Sequence, residues 1–102
     1  FRKLLDLGVT AAICVGELHG AIVARKIHEE GLRVPEEFSL LSLEMPRISE
    51  NLTPPHTTLS QDFEALAKQA VCLLEALTDH RAAADVSIPY RLIERRSVSF
   101  MH

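Results

Sequence analysis

The chain has 102 residues, of which 47% are hydrophobic and 25% are charged, and its formal net charge is −3. This length suits one modest domain, and the composition is ordinary for a soluble globular protein. The negative charge argues against an extended nucleic-acid surface in this segment, and no apolar run approaches the roughly 18 to 20 residues that a membrane-spanning helix needs.

The first residues read as the end of a helix. Phe1, Leu4 and Leu5 fall at helical spacing, and Gly8 lies where a C-terminal helix cap is expected. No signal-peptide pattern is present here. Because the chain starts within a helix and has no initiator methionine, we interpret it as the C-terminal part of a longer protein.

A strand, a helix and a second strand follow. Residues 10–15 form a short apolar run between Gly8 and Gly16, which is typical of a parallel strand buried on both faces. Residues 17–30 predict a helix that ends at Gly31, and residues 38–43 predict a second buried strand. The pattern indicates a βαβ unit. The residues expected on the inward side of the helix are Leu18, Ala21, Ile22, Ala24 and Ile27.

The second half begins with an irregular connection. Residues 45–59 show neither a helical nor a strand period, and Pro54 and Pro55 stiffen the path. A helix is predicted from about residue 61 to 78, with Ser60 as its N-cap. Residues 82–85 read as a linker, and the alternation over residues 86–92 predicts a half-exposed strand. The apolar stripe of the helix consists of Phe63, Leu66, Ala67, Ala70, Val71, Leu74 and Leu77.

The predicted fold class is α/β with a parallel sheet. Two buried parallel strands need helices on both faces of the sheet, yet the single crossover helix covers only one face. We therefore expect the missing cover to come from residues that precede Phe1.

Two carboxylates mark the candidate site. In open parallel sheets, ligands bind outside the carboxyl ends of the strands. The first strand leads into Gly16 and Glu17, and the second ends at Glu44. If the strands are neighbours, both carboxylates emerge at one edge, where they suit hydroxyl-bearing ligands such as sugars or nucleosides. The alternatives are that Glu17 stabilises the helix dipole and that Glu44 is a solvated strand end.

The pattern gives little support for catalysis. Two nearby carboxylates can serve acid–base chemistry, but there is no nucleophile elbow, glycine-rich phosphate loop or metal-ligand spacing. The five histidines are scattered. We expect no enzyme, cofactor or metal. Cys14 and Cys72 are either paired or, as we favour, reduced and mostly buried, which suits a cytoplasmic setting.

Three segments together resemble the LacI/GalR family of bacterial transcription regulators. They are Gly-Leu-Arg-Val-Pro-Glu-Glu-Phe-Ser at 31–39, Thr-Pro-Pro-His-Thr-Thr-Leu-Ser-Gln at 53–61 and Leu-Ile-Glu-Arg-Arg-Ser at 92–97. The last looks like the tail of purine-repressor-type members. Each segment is moderately specific alone, and the three in this order are strong.

The resemblance implies the C-terminal part of an effector-binding core similar to a type I periplasmic binding protein. In that fold two α/β lobes are joined by three crossings, and the ligand lies between them. Residues 1–52 would then belong to the C-terminal lobe, 53–60 to a crossing, 61–91 to the N-terminal lobe, and 92–102 to the return crossing and tail.

Family roles carry over by position. The resemblance implies that Glu44, Glu17, Gly16, Gln61 and Phe63 contact the ligand. It implies that Ala21, Arg25 and Leu52 lie at a dimer interface. Glutamate stands at both positions where the family has aspartate, and Ser42 and Leu43 replace a glycine and an aromatic residue, so we expect a reshaped pocket.

The resulting hypothesis is the ligand-binding and dimerisation portion of a LacI-type repressor. A sugar or nucleobase-like effector would shift the lobes and change operator affinity, and a preceding helix-turn-helix would bind the DNA. The alternatives are a solute-binding protein of transport or sensing with the same fold, and an α/β enzyme that uses Glu17 and Glu44.

Overall fold

The computed structural model describes residues 1–44 and 48–100. The chain divides into two compact units. The first comprises Phe1–Ser60 and the segment that begins at Leu92, and the second comprises Gln61–Arg91. None of the helices in the described residues combines the length and the apolar character that crossing a bilayer requires.

A four-stranded sheet organises the chain. Its strands lie in the order β1-β2-β3-β4, and β1, β2 and β3 run parallel. Ala11 pairs with Ser39 and Cys14 pairs with Ser42, which confirms the predicted βαβ unit. The elements in chain order are α1 (Arg2–Asp6), β1 (Ala11–Cys14), α2 (Glu17–Glu29), β2 (Ser39–Glu44), the 3-10 helix η1 (Ser49–Asn51), β3 (Thr57–Ser60), α3 (Phe63–Thr78) and β4 (Arg91–Ile93).

The helices end through backbone hydrogen bonds. After α2, the N–H of Gly31 donates to the carbonyl of His28 at 2.9 Å, and the N–H of Leu32 donates to that of Ile27 at 3.1 Å. This pair of bonds is the Schellman motif, and Gly31 has the positive φ of 76° that the motif requires. The predicted helix stop is confirmed. The same motif ends α3, but there His80 takes the left-handed position with a φ of 55°.

The core of the first unit lies between α2 and one face of the sheet. Its buried apolar residues are Cys14, Ile27, Phe38 and Leu40, and Val23 and Ala24 pack against them.

The predicted inward face of α2 was partly wrong. Leu18 and Ile22 are exposed, whereas Gly20 is buried. The side of α2 that faces the sheet instead carries Gly20, Val23, Ala24 and Ile27.

The opposite face of the sheet is open at β1. Ile13 has an exposed fraction of 72%, although the sequence predicted a strand buried on both faces. α2 covers only one face, and among the described residues no second helix covers Ile13.

The irregular connection contains a strand that the sequence did not predict. β3 is made of Thr57, Thr58, Leu59 and Ser60, and it pairs with β2 from Leu41 to Glu44. Residues 45–47 of the same connection lie outside the described part of the chain.

Three further details differ from the predictions. The N-cap of α3 is Asp62, whose carboxylate accepts from the N–H of Ala65 at 3.0 Å, rather than Ser60. The last strand is confined to Arg91–Ile93 instead of residues 86–92. Both cysteines are free, but Cys72 is exposed, and only Cys14 is buried.

Candidate functional site

The carboxyl ends of β1, β2 and β3 form one edge of the sheet, which we call the carboxyl edge. The strands are parallel, so their ends must lie on the same side. Glu44 is the last residue of β2 and pairs with Ser60 at the end of β3. β1 pairs with β2 as far as Cys14 and Ser42, and each chain continues two residues further along the strand direction, to Gly16 and to Glu44. The predicted adjacency of the two strands is confirmed, while the side chain of Glu44 lies outside the described part of the structure.

Gly16 connects β1 to α2 in a conformation that excludes other residues. Its φ is 124°, and a Cβ added there would meet Nδ1 of His19 at 3.1 Å. Its carbonyl accepts the N–H of Gly20 at 3.1 Å, so Gly16 also opens the helix. Because Gly16 has no side chain, a ligand can approach its backbone next to β2, the strand that ends at Glu44.

Glu17 does not lie at an open rim. Its exposed fraction is 5%, and Oε2 accepts hydrogen bonds from Ser49, at 3.1 Å from the backbone N–H and 2.9 Å from Oγ. A buried carboxylate is retained only where such donors are present. These bonds favour a structural role. No local pattern pointed to this partner, because Ser49 lies 32 residues away in the chain.

Gln61 and Phe63 belong to the second unit. The amide nitrogen of Gln61 donates to the hydroxyl of Tyr90 at 2.5 Å, and Phe63 is exposed at the first turn of α3. Tyr90 was not among the predicted site residues. The sequence offered only its place in an alternating pattern, which predicted a strand.

A depression of about 380 Å³ lies between α2 and the loop that precedes β3, and we call it the helix–loop depression. All three predicted dimer-interface residues, Ala21, Arg25 and Leu52, line it. Leu52 is far from Ala21 and Arg25 in the sequence, so the fold brings these residues to the same depression. The complete lining is Ala21, Ala24, Arg25, His28, Leu52, Thr53 and His56.

His56 is fully buried at the base of this depression. Within the described part of the chain, neither ring nitrogen has a hydrogen-bond partner, and Oγ of Ser42 also has none. A Cβ added to Gly20 would lie 2.9 Å from Oγ of Ser42 and 3.6 Å from Nδ1 of His56. Burial lowers the pKa of His56, and the charge of Arg95 lowers it further. The imidazole is therefore held in its neutral form.

The C-terminal segment fastens the beginnings of β2 and β3. Oγ of Ser97 donates to the carbonyl of Leu40 and accepts from the N–H of Thr57 at 2.7 Å. The N–H of Leu40 donates to the carbonyl of Ser97 at 2.8 Å. The guanidinium of Arg95 donates to the carbonyl of His56 at 2.8 Å. The Arg-Arg-Ser segment, residues 95–97, thus holds the first residues of β2 and β3 together through hydrogen bonds.

A larger depression, of about 630 Å³, lies away from the carboxyl edge. Leu41, Thr57, Leu92, Val98 and Phe100 are among its lining residues. It is mostly apolar and continues the uncovered face of the sheet, so its size alone does not make it the ligand site.

The first comparison with known proteins identifies the domain. The sequence profile of the periplasmic binding protein-like domain matches residues 2–98. Among curated relatives, the HTH-type transcriptional repressor PurR of Pectobacterium carotovorum subsp. carotovorum is 39% identical over 94 residues, which cover 88% of this chain and 27% of that protein. PurR of Aliivibrio salmonicida is 32% identical over 91 residues, covering 87% and 27%. The chain thus spans about a quarter of the length of these relatives.

The solved structures agree. A LacI family transcriptional regulator from Bifidobacterium animalis subsp. lactis superposes with a TM-score of 0.87 at 29% identity, over 96% of this chain and 37% of that one. The order of parallel strands, the matched profile and the relatives all support the resemblance seen in the three sequence segments. The chain belongs to the periplasmic binding protein-like domain family, in the form that LacI/GalR-type transcriptional regulators carry.

Proposed function

We propose that this chain is the ligand-binding and dimerisation portion of a bacterial LacI-type repressor. The observation that carries the proposal is the carboxyl edge, where Gly16 follows β1 and Glu44 ends the neighbouring parallel strand β2, in a domain of this family. Ligands of open parallel sheets bind at such an edge. The function is binding without catalysis, and the protein acts in the cytoplasm.

The proposed ligand is a small polar molecule, a sugar or a nucleobase-like compound. A carboxylate at position 44 offers strong charge-assisted acceptors for hydroxyl or N–H groups. Gly16 allows the ligand to approach the backbone. Gln61 and Phe63 of the second unit are further proposed contacts, on the basis of the resemblance. Glu17 is proposed to support this edge from beneath, because its carboxylate is buried.

The helix–loop depression is the proposed contact surface for a second copy. Ala21 and Leu52 supply apolar area, and Arg25 and His28 supply charge and hydrogen-bond donors at its rim. Effector binding would favour one arrangement of the lobes, and the effect on operator affinity is reciprocal between the two sites. Operator DNA would be bound by a helix-turn-helix elsewhere in the protein, as the names of the curated relatives suggest.

The two other hypotheses are less well supported. The curated relatives are repressors, which does not favour a solute-binding protein of transport. An enzyme that uses Glu17 and Glu44 loses one of its two accessible carboxylates, because Glu17 is buried and bonded to Ser49.

Calorimetric titration of the full-length protein with a panel of sugars, nucleosides and nucleobases tests the proposed ligand site. Glu44→Ala is expected to weaken binding of the active compound at least tenfold, which is about 1.4 kcal/mol. Glu36→Ala, at an exposed carboxylate outside the carboxyl edge, is the matched control and should bind as the wild type does. Equal affinity of Glu44→Ala and wild type would remove Glu44 from the site.

A further inference from the structure

Glu17 lies where the carboxyl edge meets the loop of the helix–loop depression. It is the first residue of α2 and directly follows Gly16. Its carboxylate reaches Ser49, the first residue of η1, and three residues later the same loop supplies Leu52 to the depression. The residue therefore touches two regions that the proposed function treats as separate.

Ser49 both donates hydrogen bonds to Glu17 and accepts hydrogen bonds from residues later in the loop. Its N–H and its hydroxyl both donate to Oε2 of Glu17, at 3.1 and 2.9 Å. Its carbonyl accepts the N–H of His56 at 2.9 Å and the N–H of Leu52 at 3.4 Å. Ser49 is fully buried. Ser49 thus fixes the loop to Glu17, and the carbonyl of Ser49 also holds Leu52 and His56.

The bonds continue to the return segment of the chain. The carbonyl of His56 accepts from the guanidinium of Arg95, which also donates to Oγ1 of Thr58 at 3.2 Å. A continuous path of hydrogen bonds therefore leads from Glu17, through Ser49 and His56, to Arg95. Charge-assisted bonds such as those at Glu17 are the stronger members of such a path.

We propose that Glu17 is a positioning residue which, through Ser49, sets the loop that contacts a second copy of this chain. The proposal rests on the proposed function in one respect, namely that the helix–loop depression is the subunit contact. It differs from the family-based expectation, because Glu17 then acts on dimerisation from the edge of the ligand site and does not itself bind the ligand. A shift of Gly16 and Glu17 on ligand binding would move Leu52 with them.

Sedimentation equilibrium of the full-length protein tests this inference without any ligand. Glu17→Gln keeps the shape of the side chain and removes its charge, and Ser49→Ala removes the hydroxyl donor. Each is expected to raise the dimer dissociation constant at least tenfold. The effect of the double variant should be smaller than the sum of the two single effects, because both substitutions weaken the same contact between Glu17 and Ser49. Glu36→Gln is the control carboxylate and should leave the dissociation constant unchanged.

Hydrogen exchange provides a second measurement that a general loss of stability does not imitate. The amides of the loop around Ser49 and Leu52 should exchange faster in Glu17→Gln, while the amides of β1 and β2 keep their wild-type rates. An unchanged dimer constant and unchanged loop exchange in both single variants would overturn the proposal. A wild-type protein that stays monomeric would instead overturn the proposed subunit contact, and the positioning role with it.

Discussion

Replacing His56 with leucine is expected to stabilise the protein rather than weaken it. The imidazole is fully buried, and neither nitrogen has a hydrogen-bond partner among the described residues. Leucine is similar in size, and it has no polar atom to bury. The substitution leaves the backbone bonds of residue 56, to Ser49 and Arg95, in place.

The magnitude follows from the two nitrogens. Each of the two nitrogens costs about 1 to 3 kcal/mol when it is buried without a partner, and the strain from the different shape of leucine offsets about 1 kcal/mol of the gain. We expect the free energy of unfolding to rise by at least about 1 kcal/mol near neutral pH.

The gain should increase as the solution is acidified. Burial and the charge of Arg95 lower the pKa of His56 below its ordinary value of 6.5, so the unfolded chain takes up the proton first. The stability contributed by the neutral ring of His56 is therefore fully present above pH 6.5, and it is lost as the pH falls through the lowered pKa of the folded state. Within that window the wild type loses up to about 1.4 kcal/mol per pH unit through this ring. Arg95 is the charged group that acts on the ring, and Arg25 and His28 line the same depression.

Urea unfolding of the full-length protein, at about pH 7.5 and about pH 5.5 and at one fixed protein concentration, measures both effects. His19→Leu is the matched control, because it removes an exposed histidine that does not line the helix–loop depression. It should change stability by no more than about 0.5 kcal/mol. A lower urea midpoint for His56→Leu, with an unchanged pH dependence, would refute the reasoning.

Three further substitutions test contacts of the fold. Gly20→Ala brings a Cβ within 2.9 Å of Ser42 Oγ. The overpacking should lower the unfolding free energy by about 1 to 3 kcal/mol, and the better helix propensity of alanine should offset about 1 kcal/mol of that loss. In a double-mutant cycle, Ser42→Gly should remove the destabilisation caused by Gly20→Ala. His80→Gly relieves the left-handed conformation at the end of α3, so the unfolding free energy should rise by about 1 kcal/mol. Ser97→Ala leaves the buried N–H of Thr57 without its 2.7 Å acceptor and should cost about 1 to 3 kcal/mol.

Each of these is read from the unfolding free energy of the full-length protein. Additive effects of the substitutions at positions 20 and 42 would show that the two residues do not contact each other. The control for position 80 is Gln69→Gly, at an exposed position within α3. This substitution should lower the unfolding free energy. For Ser97, the exposed neighbour Ser99 serves as control, and equal losses at the two positions would contradict the bridging role.

Hydrophobic pattern and helix-stop residues predicted the elements that form locally. β1, α2, β2 and α3 all lie where the sequence placed them, because an apolar run or stripe is a local signal, as is the glycine that ends α2. The neighbouring positions of Gly16 and Glu44 also followed, since two parallel strands joined by one helix bring their carboxyl ends to one edge.

β3 escaped prediction because its residues are mostly polar. Thr57, Thr58 and Ser60 are poor evidence for a buried strand, and two prolines precede them. The strand exists because β2 offers it a parallel edge and Ser97 satisfies its first N–H. These partners come from other parts of the chain, so they leave no periodic signal in the segment itself.

The sequence alone determined the βαβ unit and the positions of its ends, since these depend on residues close together in the chain. The tertiary structure decided what the side chains there do. It buried Glu17 against Ser49, placed the ring nitrogens of His56 near α2 with no hydrogen-bond partner among the described residues, and turned Gly20 toward the sheet. Each of these outcomes depends on an atom more than twenty residues away, and hydrogen bonding and packing over that distance are fixed only when the chain has folded.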